Sequence, residues 1–202
     1  MTEKIKITIN KNGPISIDGY QAIIFCGEKL EKEGKAFICR CGNSKNAPFC
    51  DGSHKRTGFD DSNDIQELQA IKIWQGSRIK TYFNANLCMH ARYCKELGNL
   101  RKIESESADP DAARKIAGIV TQCPSGALSF EMLEGESGVT FASSGTVEIM
   151  EGGEVRIQSE IESDSLELQD HQPTNRLALC RCGLSKNKPY CDASHSEKTG
   201  FR

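Results

Sequence analysis

The sequence predicts an α+β fold in which two small β-rich units flank a central unit that combines a short sheet with a helix. Three observations predict it. One cysteine-rich motif occurs near each end of the chain, each copy follows alternating apolar and polar residues, and the segment between the copies changes to helical periodicity. Polar, acidic stretches at residues 60–67 and 133–138 are typical of linkers. We therefore divide the chain into residues 1–60, 67–133 and 139–202.

The repeated motif contains three cysteines and one histidine. AFICRCGNSKNAPFCDGSH and LALCRCGLSKNKPYCDASH share the spacing C-x-C-x8-C-x3-H at a constant offset of 141 residues. The candidate metal ligands that they supply are Cys39, Cys41, Cys50, His54, Cys180, Cys182, Cys191 and His195. A serine, a lysine, an asparagine and a proline between the cysteines also recur, so we expect both copies to have the same role.

Alternating apolar residues predict a β-hairpin before each motif. The predicted strands are residues 5–9, 15–17, 147–149 and 155–157. Asn12-Gly13 and Gly152-Gly153 supply the turns. Cys26, in the apolar run AIIFC, is predicted to be a buried residue of a core strand.

Composition limits both the core and the class of partner. The 202 residues include 10 cysteines but only 6% aromatic residues, so metal binding is expected to supplement a thin hydrophobic core. The net charge of −2 gives no basic field for nucleic acid or an anionic membrane. The first residues lack an apolar signal segment, and no apolar run reaches about 18 residues. We therefore expect a cytoplasmic protein, in which cysteines bind metals rather than form disulfides.

The spacing within each motif suits two metal ions. Cys39 and Cys41 point to the same side of an extended segment, so both thiolates can bind one iron. Cys50 and His54 are four residues apart and, with Asp51 as the helix N-cap, are expected to lie on one helical face and bind a second iron. Three thiolates and one imidazole would then hold a 2Fe-2S cluster. The alternative is one zinc ion on the same set of ligands, although zinc sites usually begin with C-x2-C.

CRCGNSKNAPFCDGSH resembles the motif of the CDGSH iron-sulfur family, also called NEET proteins, at every defining position. The second copy differs at Ala193, which replaces Gly52. The resemblance covers residues 1–60 and 139–202, and it implies a β-rich fold with one 2Fe-2S cluster on the four ligands of each motif. Family members with a single motif form homodimers, so two motifs imply either an internal pseudo-dimer in a monomer or a homodimer.

Local signals predict the secondary structure of the central unit. Alternation on both sides of residues 75–77 predicts a hairpin. Asp109-Pro110 is typical of a helix start and Cys123-Pro124 of its end. The apolar stripe of this helix consists of Ala113, Ile116, Ala117 and Val120. The chain is expected to return as a strand from Ala127 to Phe130.

The central unit supplies three further candidate ligands, which are Cys88, Cys94 and Cys123. Their segments, CMHARYC and QCPSGALSF, resemble divergent mono-cluster ferredoxin domains over about residues 68–132, with Ala91 where a cysteine is usual. The resemblance implies a 3Fe-4S cluster on three thiolates, or a 4Fe-4S cluster whose fourth ligand is His90 or solvent. The alternative is that these cysteines are small buried hydrophobic residues.

These features predict a soluble protein that transfers single electrons through two 2Fe-2S clusters and one 3Fe-4S or 4Fe-4S cluster. The sequence contains no dinucleotide, phosphate-loop or hydrolase motif, so an electron-transfer protein is favoured over an enzyme. The expected partner is a redox protein or an apo-protein that accepts a cluster, and neither nucleic acid nor a membrane. An iron-sulfur cluster carrier or a redox or pH sensor is the first alternative, because a histidine ligand is protonatable. A zinc-stapled interaction protein is the second.

Overall fold

The computed structural model describes residues 4–63, 69–97, 102–133, 144–168 and 170–197 of the chain. Parts of both predicted linkers fall outside these ranges. The described residues form three β-sheets with a few short helices, in agreement with the predicted α+β class. Within these ranges, no helix is long and apolar enough to cross a membrane.

The N-terminal unit consists mainly of strands. Its elements are β1 (Ile5–Ile9), β2 (Ile15–Asp18), β3 (Ala22–Phe25), β4 (Glu28–Leu30), β5 (Ala36–Ile38) and α1 (Ser53–Arg56). β1 and β2 form the predicted hairpin, and β3 and β4 form a second one. Cys26 lies in the turn of that second hairpin, where it is exposed and has a φ of 53°. The prediction of a core strand residue is wrong here, because the strand ends at Phe25 while the apolar run continues into the turn.

The central unit has an antiparallel sheet covered by a helix. Its elements are β6 (Lys72–Gln75), β7 (Ile79–Phe83), α2 (Lys102–Glu106), α3 (Pro110–Thr121) and β8 (Leu128–Met132), with the sheet order β6-β7-β8. The Asp109 side chain accepts a hydrogen bond from the backbone N–H of Asp111 and caps α3, as predicted. The predicted apolar stripe of α3 is buried and packs on the sheet. The helix ends at Thr121, two residues before Cys123, and the final strand begins one residue later than predicted.

The C-terminal unit repeats the strand pattern of the first. Its elements are β9 (Thr146–Ile149), β10 (Val155–Gln158), β11 (Ile161–Glu162) and β12 (Leu177–Leu179), followed by a 3-10 turn at Ser194–Glu197. β9 and β10 form the predicted hairpin. β12 then leads into the second motif, as β5 leads into the first.

The two outer units exchange strands. One sheet has the order β11-β1-β2-β5 and another has the order β12-β10-β9-β3-β4. In the first sheet β11 pairs in parallel with β1, and in the second sheet β3 pairs in parallel with β9. Each sheet therefore contains strands from both halves of the chain, which is the arrangement of an internal pseudo-dimer.

One hydrophobic core is shared by both outer units. Its fully buried residues include Ile5, Ile7, Ile15, Ile17, Val147, Ile149, Val155 and Ile157. Burial of one such side chain contributes about 1.5–3 kcal/mol to stability. A slip of one residue would turn the whole apolar set of a strand towards solvent, so the hydrophobic pattern fixes the register.

The central unit is attached to the C-terminal unit through a buried arginine and a ring stack. The guanidinium of Arg176 donates hydrogen bonds to the carbonyl oxygens of Val120 at 2.6 Å and Leu128 at 3.2 Å, and a longer one to that of Cys123 at 3.4 Å. The ring of Tyr82 stacks on His171 with centroids 3.8 Å apart. These contacts hold the helix end that precedes Cys123 against the segment that leads into β12.

Candidate metal centres

The first motif follows β5 directly, so Cys39 and Cys41 lie at the end of a strand. Their side chains are buried, and their sulfur atoms are 3.7 Å apart. On the other side of the loop, the Cys50 sulfur lies 3.4 Å from Nδ1 of His54. Cys50 lies before α1, so it meets His54 across a turn rather than along a helical face as predicted. The structure thus brings the four candidate ligands together as two pairs.

The second motif has the same geometry. The sulfur atoms of Cys180 and Cys182 are 3.7 Å apart, and the Cys191 sulfur lies 3.5 Å from Nδ1 of His195. A tetrahedral ion with metal–sulfur bonds of about 2.3 Å and metal–nitrogen bonds of about 2.0 Å holds two sulfurs about 3.8 Å apart, and a sulfur and a nitrogen about 3.5 Å apart. Each pair in both motifs therefore fits one metal ion.

The pairs do not merge into a single four-ligand site. All ligands of one tetrahedral zinc ion lie within about 3.8 Å of one another. In the described ranges, the only group of three or more histidine, cysteine or acidic side chains whose ligand atoms lie within 4.8 Å of one another is Glu154, Cys191 and His195. No three of the predicted ligands of either motif form such a group. The arrangement suits two metal ions in each motif better than one.

Asp51 shapes the first ligand loop, but not as the predicted helix N-cap. α1 follows Gly52, which has a φ of 83° and supplies the cap position. The Asp51 carboxylate instead accepts hydrogen bonds from the backbone N–H groups of Lys45 and Ser53, at 3.0 and 2.9 Å. These hydrogen bonds hold the pKa of Asp51 well below its usual range. Asp192 accepts the corresponding bonds in the second motif.

The recurring serine closes each loop. The hydroxyl of Ser44 donates to the carbonyl oxygen of Phe49 at 2.6 Å and accepts from the backbone N–H of Asn46 at 3.1 Å. Ser185 makes the same two bonds in the second motif. The repeat indicated a shared role for this serine. The structure shows that role, since the two hydrogen bonds of the serine connect the two sides of the loop.

The three cysteines of the central unit converge on one pocket. Cys88 follows a 3-10 turn, Cys94 lies in another, and Cys123 follows the end of α3. All three line a pocket of about 320 Å³, which opens to solvent, together with His90 and Ala91. The cysteines are half-buried rather than fully buried, which argues against the alternative of small core residues. Their sulfurs do not all lie within 4.8 Å of one another, so they suit a polynuclear group better than one ion.

Family comparisons match the three regions separately. The model of the iron-binding zinc finger of CDGSH type matches residues 12–55 and again residues 144–196. Both outer units of the chain thus match the CDGSH family. A divergent 4Fe-4S mono-cluster model matches residues 74–132, between the two CDGSH regions. The chain is thus an iron-sulfur protein. A comparison with curated proteins finds no match.

Burial and neighbouring thiols shift the pKa values of several cysteines in the CDGSH motifs. Burial raises the pKa of Cys41 to about 11, and the nearby Cys39 thiol adds to the effect. In the second motif the hydrogen bond between the Cys180 and Cys182 thiols lowers the pKa of Cys180 to about 6 and raises that of Cys182. Metal ions bind thiolates rather than thiols. Metal binding in these motifs is therefore coupled to the release of protons from the cysteines.

An arginine within each C-x-C ties the CDGSH loop to its hairpin. Arg40 is buried, donates to the carbonyl oxygens of Asn10 and Gly13, and lies 2.6 Å from the carboxylate of Asp61. Arg181 makes the corresponding two hydrogen bonds to the turn between β9 and β10. The sequence contained the signal for this role, since CRC occurs in both copies. Arg176, which bonds the central unit, had no such signal, because the corresponding residue of the first copy is Lys35 and not arginine.

Proposed function

We propose that the chain transfers single electrons through three iron-sulfur clusters. The N-terminal site, formed by Cys39, Cys41, Cys50 and His54, and the C-terminal site, formed by Cys180, Cys182, Cys191 and His195, would each hold a 2Fe-2S cluster. The central site, formed by Cys88, Cys94 and Cys123, would hold a 3Fe-4S cluster, or a 4Fe-4S cluster with His90 or solvent as the fourth ligand. The clusters supply one-electron chemistry, while the protein binds them, excludes water and sets their potentials.

Pairing of the ligands supports a binuclear group in each CDGSH motif. Each motif offers two pairs at the separations of one metal ion, 3.7 Å and 3.4 or 3.5 Å. No set of three predicted ligands gathers around a single point in the described ranges. Replacement of one thiolate by imidazole is expected to raise the potential above that of an all-cysteine cluster.

A direct contact between two sites is the observation that carries the electron-transfer proposal. Met89, next to Cys88 of the central site, packs in one buried cluster with Ala178 and with Cys191 of the C-terminal site. A second contact runs from the side chain of Asn187, in the C-terminal loop, to the carbonyl oxygen of Asn86. A dry contact between the two ligand loops favours passage of electrons within the chain, which a protein that only carries clusters to others does not need.

The compartment and the partner are part of the same proposal. Thiolate ligands require reduced cysteines, which the cytoplasm maintains. The expected partner is a redox protein. The chain itself would be either a monomer or a homodimer.

Metal content is the first test. We expect about seven or eight iron atoms per chain, with matching acid-labile sulfide, in protein purified without oxygen. About four irons and no central signal would leave the central unit without a cluster. Zinc without sulfide would contradict the proposal and favour the zinc-stapled alternative.

Electron paramagnetic resonance of the reduced protein is the second test. If electrons pass between the central and C-terminal sites, their spins should interact, and the signals should broaden or split when both are reduced. A sum of independent signals at every level of reduction would contradict the proposal.

A cluster carrier is the second candidate function, and the N-terminal site favours it. Cys50 and His54 are partly exposed, whereas Cys191 at the equivalent place in the C-terminal site is buried. The test is transfer of the cluster to an apo-ferredoxin, followed by native gel electrophoresis. Transfer from the N-terminal site alone would support this function, and retention of all clusters would contradict it.

A further inference from the structure

Glu154 is a buried carboxylate beside the C-terminal site. Only 3% of the residue is exposed. It lies at the start of β10, directly after Gly153, in the place that Pro14 occupies after Gly13 in the N-terminal hairpin. The C-terminal site therefore has an acidic neighbour, whereas the N-terminal unit has an uncharged proline at the corresponding position.

The carboxylate lies between an arginine and the candidate histidine ligand. Oε1 of Glu154 accepts a hydrogen bond of 2.5 Å from Nε of Arg156, which holds the carboxylate in place. Oε2 lies 3.7 Å from Nε2 of His195. The other ring nitrogen, Nδ1, faces the Cys191 sulfur at 3.5 Å. The imidazole thus has a thiol at one ring nitrogen and a carboxylate at the other, and a carboxylate oxygen also lies within 4.8 Å of the sulfur.

This geometry makes Glu154 a neighbour of the ligand rather than a third ligand. The three side chains could be taken for a mononuclear metal site, since their ligand atoms lie within 4.8 Å of one another. The sulfur and the carboxylate, however, face opposite nitrogens of the same ring. An ion held by Cys191 and Nδ1 leaves Nε2 on the carboxylate side, where it carries the ring proton.

We infer that Glu154 is a positioning residue that stabilises the C-terminal cluster through His195. This inference rests on the proposed histidine-ligated cluster. A metal bound at Nδ1 draws electron density from the ring and makes the Nε2–H group more positive, and a buried carboxylate 3.7 Å away attracts that charge. At this distance the interaction is electrostatic rather than a short hydrogen bond. The negative charge also favours the oxidised cluster, so it lowers the reduction potential.

The test compares Glu154→Gln with the wild type in the full, reconstituted chain. Glutamine keeps the shape and an acceptor for Arg156 but removes the charge. We expect the C-terminal cluster to be lost to a chelator about tenfold faster at neutral pH, and its reduction potential to rise. Glu151→Gln, an exposed glutamate in the same hairpin turn, is the matched control and should change neither.

Site assignment uses the spectrum of the imidazole ligand. In a background that carries both His54→Cys and His90→Asn, His195 is the one remaining candidate histidine ligand, so resonance Raman bands of the metal–imidazole bond report on the C-terminal cluster alone. A shift of these bands with Glu154→Gln supports the inference. Unchanged bands, potential and rate of loss, in protein with its full iron and sulfide, would overturn the inference and leave the proposed function intact. Zinc in place of iron and sulfide in the wild type would overturn both.

The converse variant keeps the inference falsifiable if Glu154→Gln fails to fold. Pro14→Glu introduces a carboxylate at the equivalent position of the N-terminal unit. We expect it to slow loss of the N-terminal cluster and to lower its potential. Faster loss of the N-terminal cluster in Pro14→Glu, or no change in its rate of loss and potential, would contradict the inference.

Discussion

The two CDGSH units have the same ligand geometry but different surroundings. Phe37 is 47% exposed in the N-terminal unit, whereas Ala178 at the equivalent position is 1% exposed because Met89 of the central unit covers it. The third cysteine of the motif is partly exposed in the first unit, where it is Cys50, and buried in the second, where it is Cys191. The comparison teaches that repetition of a motif fixes how metal is held, while residues outside the motif determine what each site can contact.

The largest expected difference between the units comes from loss of one ligand. Cys50→Ser and Cys191→Ser should each remove about two irons per chain by ligand count. Cys191→Ser should also alter the signal of the central cluster, because Cys191 packs against Met89. Iron analysis and electron paramagnetic resonance measure both effects. An equal disturbance of the central signal by Cys50→Ser would contradict the unequal coupling of the two units.

Removal of the buried arginine should separate the central unit from the C-terminal one. Arg176→Met leaves the carbonyl oxygens of Val120 and Leu128 without this donor, and we expect a loss of about 3 kcal/mol in the free energy of unfolding. Denaturant unfolding of the cluster-loaded protein measures it. Arg114→Met, which removes a surface ion pair with Asp111 on α3, is the control and should cost less than about 0.5 kcal/mol. Equal effects of the two substitutions would mean that the Arg176 contact is not a structural attachment.

Acid should release the histidine-ligated clusters while the loops stay intact. The pKa of Asp51 is lowered mainly by the backbone N–H of Lys45, and that of Asp192 mainly by the side chain of Ser194, with further hydrogen bonds from backbone N–H groups. Because their folded pKa values lie below those of the unfolded chain, their stabilising effect is present above the unfolded pKa and is lost only as pH falls through the folded one. At about pH 5–6 both carboxylates therefore remain ionised, and protonation of a histidine ligand becomes the cause of cluster loss.

His54→Cys tests this cause in the N-terminal unit. We expect its cluster to be lost several-fold more slowly at about pH 5–6, and its potential to fall. Visible absorbance after a pH jump measures the rate, with His171→Asn as a control that changes a histidine outside the sites. A mutant cluster that decays as fast as the wild type would show that His54 is not the labile ligand.

The smallest expected difference lies in the turn after the third cysteine. Gly52 has a φ of 83° and Ala193 a φ of 69°, so both residues lie in the left-handed region. A Cβ on Gly52 would meet nothing within 4 Å, so Gly52→Ala should cost about 1 kcal/mol through the backbone alone. Ala193→Gly should recover a similar amount. Thermal unfolding of the loaded variants measures both, and a large loss with Ala193→Gly would contradict the interpretation.

Periodic and repeated features of the molecule could be predicted from the sequence. Alternation located β1, β2, β9 and β10, and capping signals located α3, because these follow from which side chains face the core. The candidate ligands could be predicted because spacing limits which side chains can approach one another. The structure brings them together in the expected pairs.

Contacts between distant segments could not be predicted in the same way. Glu154 corresponds to Pro14 and Arg176 to Lys35 in the first copy, so the repeat gave no indication of their positions beside His195 and Cys123. Cys26 was placed in a strand because its neighbours are apolar, although the turn between β3 and β4 depends on pairing with β9. Such contacts depend on how the three units are packed, which no local pattern determines.

The exchange of strands has a consequence for synthesis of the protein. β3 lies early in the chain, yet its parallel partner β9 begins more than a hundred residues later, and β1 likewise pairs with β11. While the ribosome makes the chain, the N-terminal unit therefore exposes open strand edges of the kind that promote aggregation. The N-terminal strands can complete their sheets only after β9 and β11 have left the ribosome, so stable metal loading of the first motif is expected to follow synthesis of these strands.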